Sequence, residues 1–315
     1  MKYRRLGHSG LKVSAIGLGA NNFGTAAKWP FHLGQKETSA IIDRTLDVGI
    51  NFIDTANAYG AGKSEEFIGV ALKGKRDQAV IATKVWSAMG DGPNDKGSSR
   101  HHVMAQVEKS LTRLQTDYID LYQLHSWDDD TPIEETVRAM DDLITQGKVR
   151  YVGCSNYSAW QVCEAMWTAR SHHMNEMVSV QPPYSMLDRK AEDELVPFCD
   201  AYNVGILPYF PLAHGLLTGK YRKGQAPPKG SRLAGNDRGM LTEGNLDIVE
   251  KLNAFCKERS HTILELAFAW LLSRPAVSSV IAGATKPEQV ASNAKTVEWE
   301  LTEADLTEID GILNA

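Results

Sequence analysis

The chain has 315 residues, 43% hydrophobic and 23% charged, with 34 Lys and Arg against 39 Asp and Glu for a formal charge of -5. This is an ordinary globular composition, and its acidic balance argues against a nucleic-acid or anionic-membrane surface as the main partner. The length admits two average domains or one large α/β barrel. Cys154, Cys163, Cys199 and Cys256 form no C-x-x-C pair, which fits reduced thiols in a cytoplasmic protein and gives no zinc spacing. Met1 to Gly7 carries charge with no apolar run behind it, so no secretory signal is expected. No run approaches the roughly 18 apolar residues of a membrane span.

In chain order, residues 2–15 read as a hairpin around Gly7-His8-Ser9-Gly10. Strand-like apolar runs then alternate with segments of helical period. Strands are expected at 15–19, 50–54, 79–83, 118–124, 149–153, 177–180, 204–208 and 278–281. Helices are expected at 36–49, 64–73, 98–114, 131–147, 158–172 and 189–202, the last with Leu195, Val196 and Phe198 inward. A Gly/Pro-rich insert at 211–240 precedes helices at 243–258 and 261–273, and further helices follow at 286–295 and 302–313. Eight strand–helix units in this length predict an α/β fold, a closed (β/α)8 barrel with an N-terminal hairpin and extra C-terminal helices. No linker or composition shift divides it, so residues 1–315 read as a single domain. The rival doubly wound nucleotide fold needs Gly-x-Gly-x-x-Gly between its first strand and helix. Gly17-Leu18-Gly19-Ala20-Asn21-Asn22 has Asn at the third glycine position, and no helix follows at once.

A barrel of this kind carries its active site where the strands end. Polar residues at those ends are Asp54, Lys84, His125, Ser155 with Asn156, Gln181 and Tyr209. Read alone, Asp54-Thr55-Ala56-Asn57-Ala58-Tyr59-Gly60 fits either a capped turn with a rim aromatic or a catalytic loop, and Lys84 and His125 fit surface positions equally well. Barrel closure would bring them together. A lysine beside a carboxylate stays charged, and a cation near a phenol favours the phenolate, so Tyr59 is expected to titrate below its usual value near 10. His125 could polarise a substrate carbonyl. His101-His102 and His172-His173 are expected on the surface, without metal spacing. Tyr59-Gly60-Ala61-Gly62-Lys63 matches a Tyr-x-x-x-Lys pattern that needs a helix, which its glycines disfavour.

The sequence resembles the aldo-keto reductase superfamily over nearly its whole length. The resemblance is carried by Asn51-Phe52-Ile53-Asp54-Thr55-Ala56 with Tyr59-Gly60, by Ala82-Thr83-Lys84 and Leu124-His125, and by Gly153-Cys154-Ser155-Asn156. It continues in Val180-Gln181-Pro182-Pro183-Tyr184, Pro208-Tyr209-Phe210-Pro211-Leu212-Ala213, Leu217-Thr218-Gly219-Lys220-Tyr221 and Gly283-Ala284-Thr285-Lys286 with Gln289 and Asn293. The Leu-Thr-Gly-Lys-Tyr segment looks most like the bacterial branch related to potassium-channel β subunits. The resemblance implies NADPH-dependent carbonyl reduction, with Tyr59 as proton donor, Asp54 and Lys84 tuning it and His125 orienting the carbonyl. It implies that Ser155, Asn156 and Gln181 hold the nicotinamide carboxamide, that Tyr209 stacks on the ring, and that Lys220 and Arg232 meet the pyrophosphate. Thr285 and Lys286 would face the 2'-phosphate, and Gln289 and Asn293 the adenine. Gly19, Ala20, Asn21, Asp54, Phe210, Pro211, Leu212, Ala213, Gly215 and Gly283 complete the implied cofactor wall. Relatives often have Thr-Trp at Ala20-Asn21, Glu at Ser292 and Arg at Lys286, so NADPH is favoured over NADH with less force. Phe23, Trp29, Trp86 and Trp127 are expected to line the substrate pocket, with Phe31 and Tyr184 nearby. Two other readings stand beside the reductase: a slowly turning, cofactor-binding redox sensor of the channel β-subunit type, and a Schiff-base aldolase using Lys84.

Overall fold

The computed structural model describes residues 1–24 and 32–314. Trp29 and Phe31 lie outside them. The chain opens with an antiparallel hairpin, β1 (Tyr3–Arg5) and β2 (Lys12–Ser14). The strands β3 (Ile16–Gly19), β4 (Phe52–Asp54), β5 (Val80–Val85), β6 (Ile119–Leu124), β7 (Val149–Ser155), β8 (Met177–Gln181), β9 (Gly205–Ile206) and β10 (Val280–Gly283) follow. They pair in parallel in the order β10-β3-β4-β5-β6-β7-β8-β9. The sheet closes on itself beyond β9. Ile206 bridges Val277 in parallel, Ser278 N donates to Ile206 O at 2.9 Å, and Ile281 N donates to Pro208 O at 2.9 Å. The eight-unit barrel expected from the alternation is therefore the fold.

Helices α1 (Gln35–Asp47), α2 (Lys63–Ala71), α3 (Arg100–Leu114), α4 (Ile133–Thr145), α5 (Ala159–Ser171) and α6 (Leu195–Tyr202) follow β3 to β8 in turn. α7 (Glu243–Glu258) and α8 (Ile263–Leu272) follow β9, while α9 (Pro287–Lys295) and α10 (Glu303–Leu313) follow β10. Their starts are chemically marked. Ser99 accepts from His102 N at the head of α3, Thr262 and Glu265 form a capping box on α8, and Thr302 and Asp305 form another on α10. The helix expected at 189–202 is broken. A 3-10 turn at Lys190–Glu192 precedes α6, because Pro197 tolerates only the first turn of a helix. Leu195 and Cys199 are buried there, whereas Val196 and Phe198 are half-buried. No helix among the described residues is long and apolar enough to cross a membrane.

Two apolar layers result from the strand alternation. Ile53, Ile81, Tyr122, Leu124, Val152 and Val180 point outward against the helices. Phe52, Val80, Ala82, Leu121, Leu207 and Ile281 fill the barrel, where Leu6 and Val13 of the hairpin join them. The hairpin thus plugs the lower end, opposite the strand C-termini. Gly7 makes this possible: its φ is +55°, and a Cβ there would stand 2.2 Å from Val178 O and 2.7 Å from Gly205 N. Gly10, at the other end of the same turn, faces open space. Gly7→Ala is expected to destabilise the protein by about 3 kcal/mol or more in urea unfolding, with Gly10→Ala within about 0.5 kcal/mol of the parent.

Candidate active site

The inward positions at the upper ends of the strands bring the polar residues together. Lys84, on β5, is fully buried, and its ammonium donates to Asp54 Oδ2 at 2.6 Å, to Thr55 O at 2.8 Å and to Tyr59 OH at 3.4 Å. Asp54 closes β4 and is buried; its Oδ1 accepts from Gln181 Nε2 at 2.8 Å and from Gln123 Nε2 at 3.2 Å. Burial pulls the lysine toward neutrality, but Asp54 and then Tyr59 outweigh it, and its pKa is raised. A protonated, hydrogen-bonded Lys84 is a poor imine-forming nucleophile, which counts against the aldolase reading.

Tyr59 follows β4 on a short, irregular 3-10 segment, Tyr59–Gly62. Gly60, Ala61 and Gly62 have φ of +58°, +54° and +93°, so the chain turns sharply and leaves the phenol half-buried beside Lys84. A Cβ on Gly60 would lie 2.8 Å from Phe23 O, which is why glycine stands there. Lys63 starts α2 and pairs with Glu66 at 2.5 Å instead of reaching Tyr59, so the Tyr-x-x-x-Lys match has no functional geometry. The expectation that Tyr59 titrates below its usual value is not met. Burial raises the phenol more strongly than Lys84 lowers it, and Asp54 adds to the rise. Tyr59 is therefore a firmly protonated donor at neutral pH.

His125 follows β6 and meets Tyr59 edge to face, with ring centroids 5.7 Å apart. Burial, and secondarily Lys84, push its imidazole down to about 3. A neutral histidine beside a protonated phenol presents two hydrogen-bond donors to an oxygen in the mouth. Ser155 Oγ donates to Gln181 O at 2.9 Å. Asn156, at φ +57°, donates to His125 O and accepts from Tyr209 OH, both at 2.8 Å, tying three strand ends together.

The residues expected to hold a cofactor fall along one rim. Gly19 and Ala20 are buried at the end of β3, Ala20 N donates to Asp54 O at 2.8 Å, and Asn21 is exposed. The chain after β9 is strongly bent: Phe210, Ala213, His214 and Gly215 have φ of +54°, +45°, +57° and +98°. Pro211 is buried, Leu212 half-buried and Lys220 exposed, the last with its ammonium next to the open face of Gly215. Arg232 lies over Phe210, 5.0 Å from the ring centre. Burial and Arg238 lower Arg232 to about 10, and burial with Arg232 and Arg238 lowers His214 to about 4. Arg238 beside the partly buried Arg232 makes this stretch of the rim positive, which suits an anion. Gly283 and Lys286 are exposed, with Lys286 at the head of α9; Thr285 and Gln289 bond each other, and Asn293 is buried. Bent backbone, clustered cations and a helix N-terminus fit a phosphate-bearing dinucleotide.

Three expectations are corrected. Phe23 is 1% exposed and belongs to the core, so it does not line an open pocket. Tyr184 is fully buried, donates to Glu192 at 2.6 Å and packs on Trp270. His102 is 1% exposed and bonds Asn94 O through Nδ1, instead of lying on the surface. Trp86 and Trp127 do stand partly open after β5 and β6. Trp86 has a φ of +150°, a strained value held by Gly97 N donating to its carbonyl. Gln123 carries no motif in the sequence; its inward place follows from alternation with Leu121 on β6.

Residues 15–314 match the model of the Aldo/keto reductase family. The chain belongs to that family. A "Probable voltage-gated potassium channel subunit beta" of Arabidopsis thaliana is 41% identical over 307 residues, covering 95% of this chain and 92% of its own. "Uncharacterized oxidoreductase YrpG" of Bacillus subtilis is 38% identical over 323 residues, covering 99% and 96%. An "L-glyceraldehyde 3-phosphate reductase" of Escherichia coli is 34% identical over 334 residues, covering 100% and 94%.

Lys84→Met leaves Asp54 buried without its counter-ion and should destabilise the protein by about 3–5 kcal/mol, with Asp54→Leu/Lys84→Met recovering part of it in denaturant unfolding. The histidine gives a pH test. Unfolded, His125 titrates near 6.5; folded, near 3. Between these values the unfolded chain binds a proton that the folded chain does not, so stability falls as pH drops from 6.5 toward 3. His125→Asn should flatten that slope in melting temperature.

Proposed function

We propose that this protein is an NADPH-dependent reductase of aldehydes or ketones, able to oxidise the corresponding alcohols, working as one barrel domain (residues 1–315) in the cytoplasm. The observation that carries the reading is the triple engagement of Lys84 with Asp54, Thr55 O and Tyr59 beside a neutral His125. Bound NADPH would supply the hydride. Tyr59 gives its proton to the carbonyl oxygen, Lys84 steadies the phenolate that remains, and Asp54 keeps Lys84 charged. His125 donates to the same oxygen and fixes the carbonyl orientation. Ser155, Asn156 and Gln181 would hold the carboxamide and Tyr209 the ring face, while Lys220 and Arg232 would meet the pyrophosphate. Lys286 and Thr285 would meet the 2'-phosphate, with Gln289 and Asn293 toward the adenine. Trp86 and Trp127 would wall the substrate side.

A second reading is a slow redox sensor, supported by relatives named channel β subunits. Many turnovers per protein would favour the enzyme, and one turnover the sensor.

Tyr59→Phe should lower kcat about 10²–10⁴-fold with NADPH affinity retained, as read by NADPH absorbance and equilibrium binding. Full activity in that variant would remove Tyr59 from the chemistry. In the wild type, alcohol oxidation should keep rising with pH toward the raised Tyr59 value while reduction stays level through neutrality.

A further inference from the structure

We propose that Gln123 is a positioning residue that keeps Asp54 aligned on Lys84 while Gln181 turns to the cofactor. The proposal rests on the reductase reading above. Asp54 uses its two oxygens differently: Oδ2 faces Lys84, and Oδ1 takes the amides of Gln123 and Gln181. The two glutamines stand at different heights. Gln181 ends β8 opposite Ser155, at the mouth. Gln123 is paired between Lys84 and Gly153, one layer deeper, with no exposed surface.

Shape alone does not account for an amide in that place. The Oε1 of Gln123 is buried with no hydrogen-bond partner, and an unmatched buried carbonyl is destabilising. A methionine would fill the same volume without that defect. Reversing the amide would set two acceptor oxygens against each other, so the NH2 group must face Asp54. What the amide provides is a donor to a buried carboxylate that substrate and solvent do not reach.

That donor matters when Gln181 is drawn away. Where a bound carboxamide rotates the Gln181 side chain, Asp54 Oδ1 loses its 2.8 Å donor. With Gln123 present, Oδ1 retains a donor and the carboxylate keeps its orientation. Without it, Gln181 is the remaining side-chain donor to Oδ1. Cofactor binding and alignment of Lys84 would then oppose each other.

The test uses Gln123→Met and Gln123→Glu in the full chain. Gln123→Met should raise the NADPH dissociation constant several-fold by fluorescence titration and lower kcat about ten-fold, with the carbonyl KM changed less than about two-fold. Gln123→Glu can donate to Oδ1 only while protonated; full burial and Asp54 raise that pKa above the ordinary value near 4.3, against the opposing pull of Lys84, its register partner on β5. Its kcat should therefore gain a new ionisation, high at acid pH and lost as pH rises. In cofactor-free protein the melting temperature of Gln123→Glu, relative to wild type, should fall over the same pH range. The sign follows from a raised folded-state pKa: the folded chain binds the proton that the unfolded chain has released.

Wild-type kcat and NADPH affinity in Gln123→Met, or a Gln123→Glu profile parallel to wild type, would overturn the proposal. A wild-type protein that reduces no carbonyl would sink the reductase reading instead. The cofactor-free melting series still decides whether residue 123 engages Asp54, since it does not depend on turnover.

Discussion

The buried ion pair between Lys84 and Asp54 is the constraint on which the site depends. An ammonium with no exposed surface loses its hydration and, unopposed, would shed its proton. Asp54 at 2.6 Å prevents this, and the carbonyl of Thr55 takes another of its hydrogens. The third direction is left for Tyr59. The pair is set by adjacent parallel strands, whose Asp54 and Lys84 face the barrel interior at the same end. Closure through Ile206, Val277 and Pro208 fixes those ends relative to each other.

Around this pair the protein separates two kinds of donor. Tyr59 and His125 are both kept in forms that carry a transferable or shareable hydrogen, chiefly by burial. The charge lies one step back, on Lys84, where water does not screen it. Along the rim beyond β9, burial and the nearby guanidinium groups of Arg232 and Arg238 instead keep His214 neutral. One region offers hydrogen-bond donors of neutral groups, the other positive charge. Both open on the upper end of the barrel, and the hairpin closes the lower end.

Much of this was legible in the sequence because strand alternation is local. Asp54, Lys84 and His125 each end an apolar run, and that pattern needs only the period of a strand. Balances of opposing effects were not legible. The sequence puts a cation beside Tyr59, but it does not say that burial outweighs that cation. Phe23 and Tyr184 read as pocket aromatics because nothing local shows that the chain folds over them. Gln123 is not legible, because a lone glutamine in an apolar strand carries no motif. Its role exists only once Gln181, from two strands away, arrives at the same oxygen. The break before α6 was visible in Pro197, whose ring lacks the N–H a continuous helix requires.

The central claim is that this constellation reduces carbonyl compounds through many turnovers. Its most direct measurement is NADPH and NADH consumption by the purified protein against a panel of aldehydes and ketones. The account predicts catalytic oxidation of NADPH in large molar excess over protein, with NADH slower. Consumption that stops at one equivalent per chain for every carbonyl would contradict it.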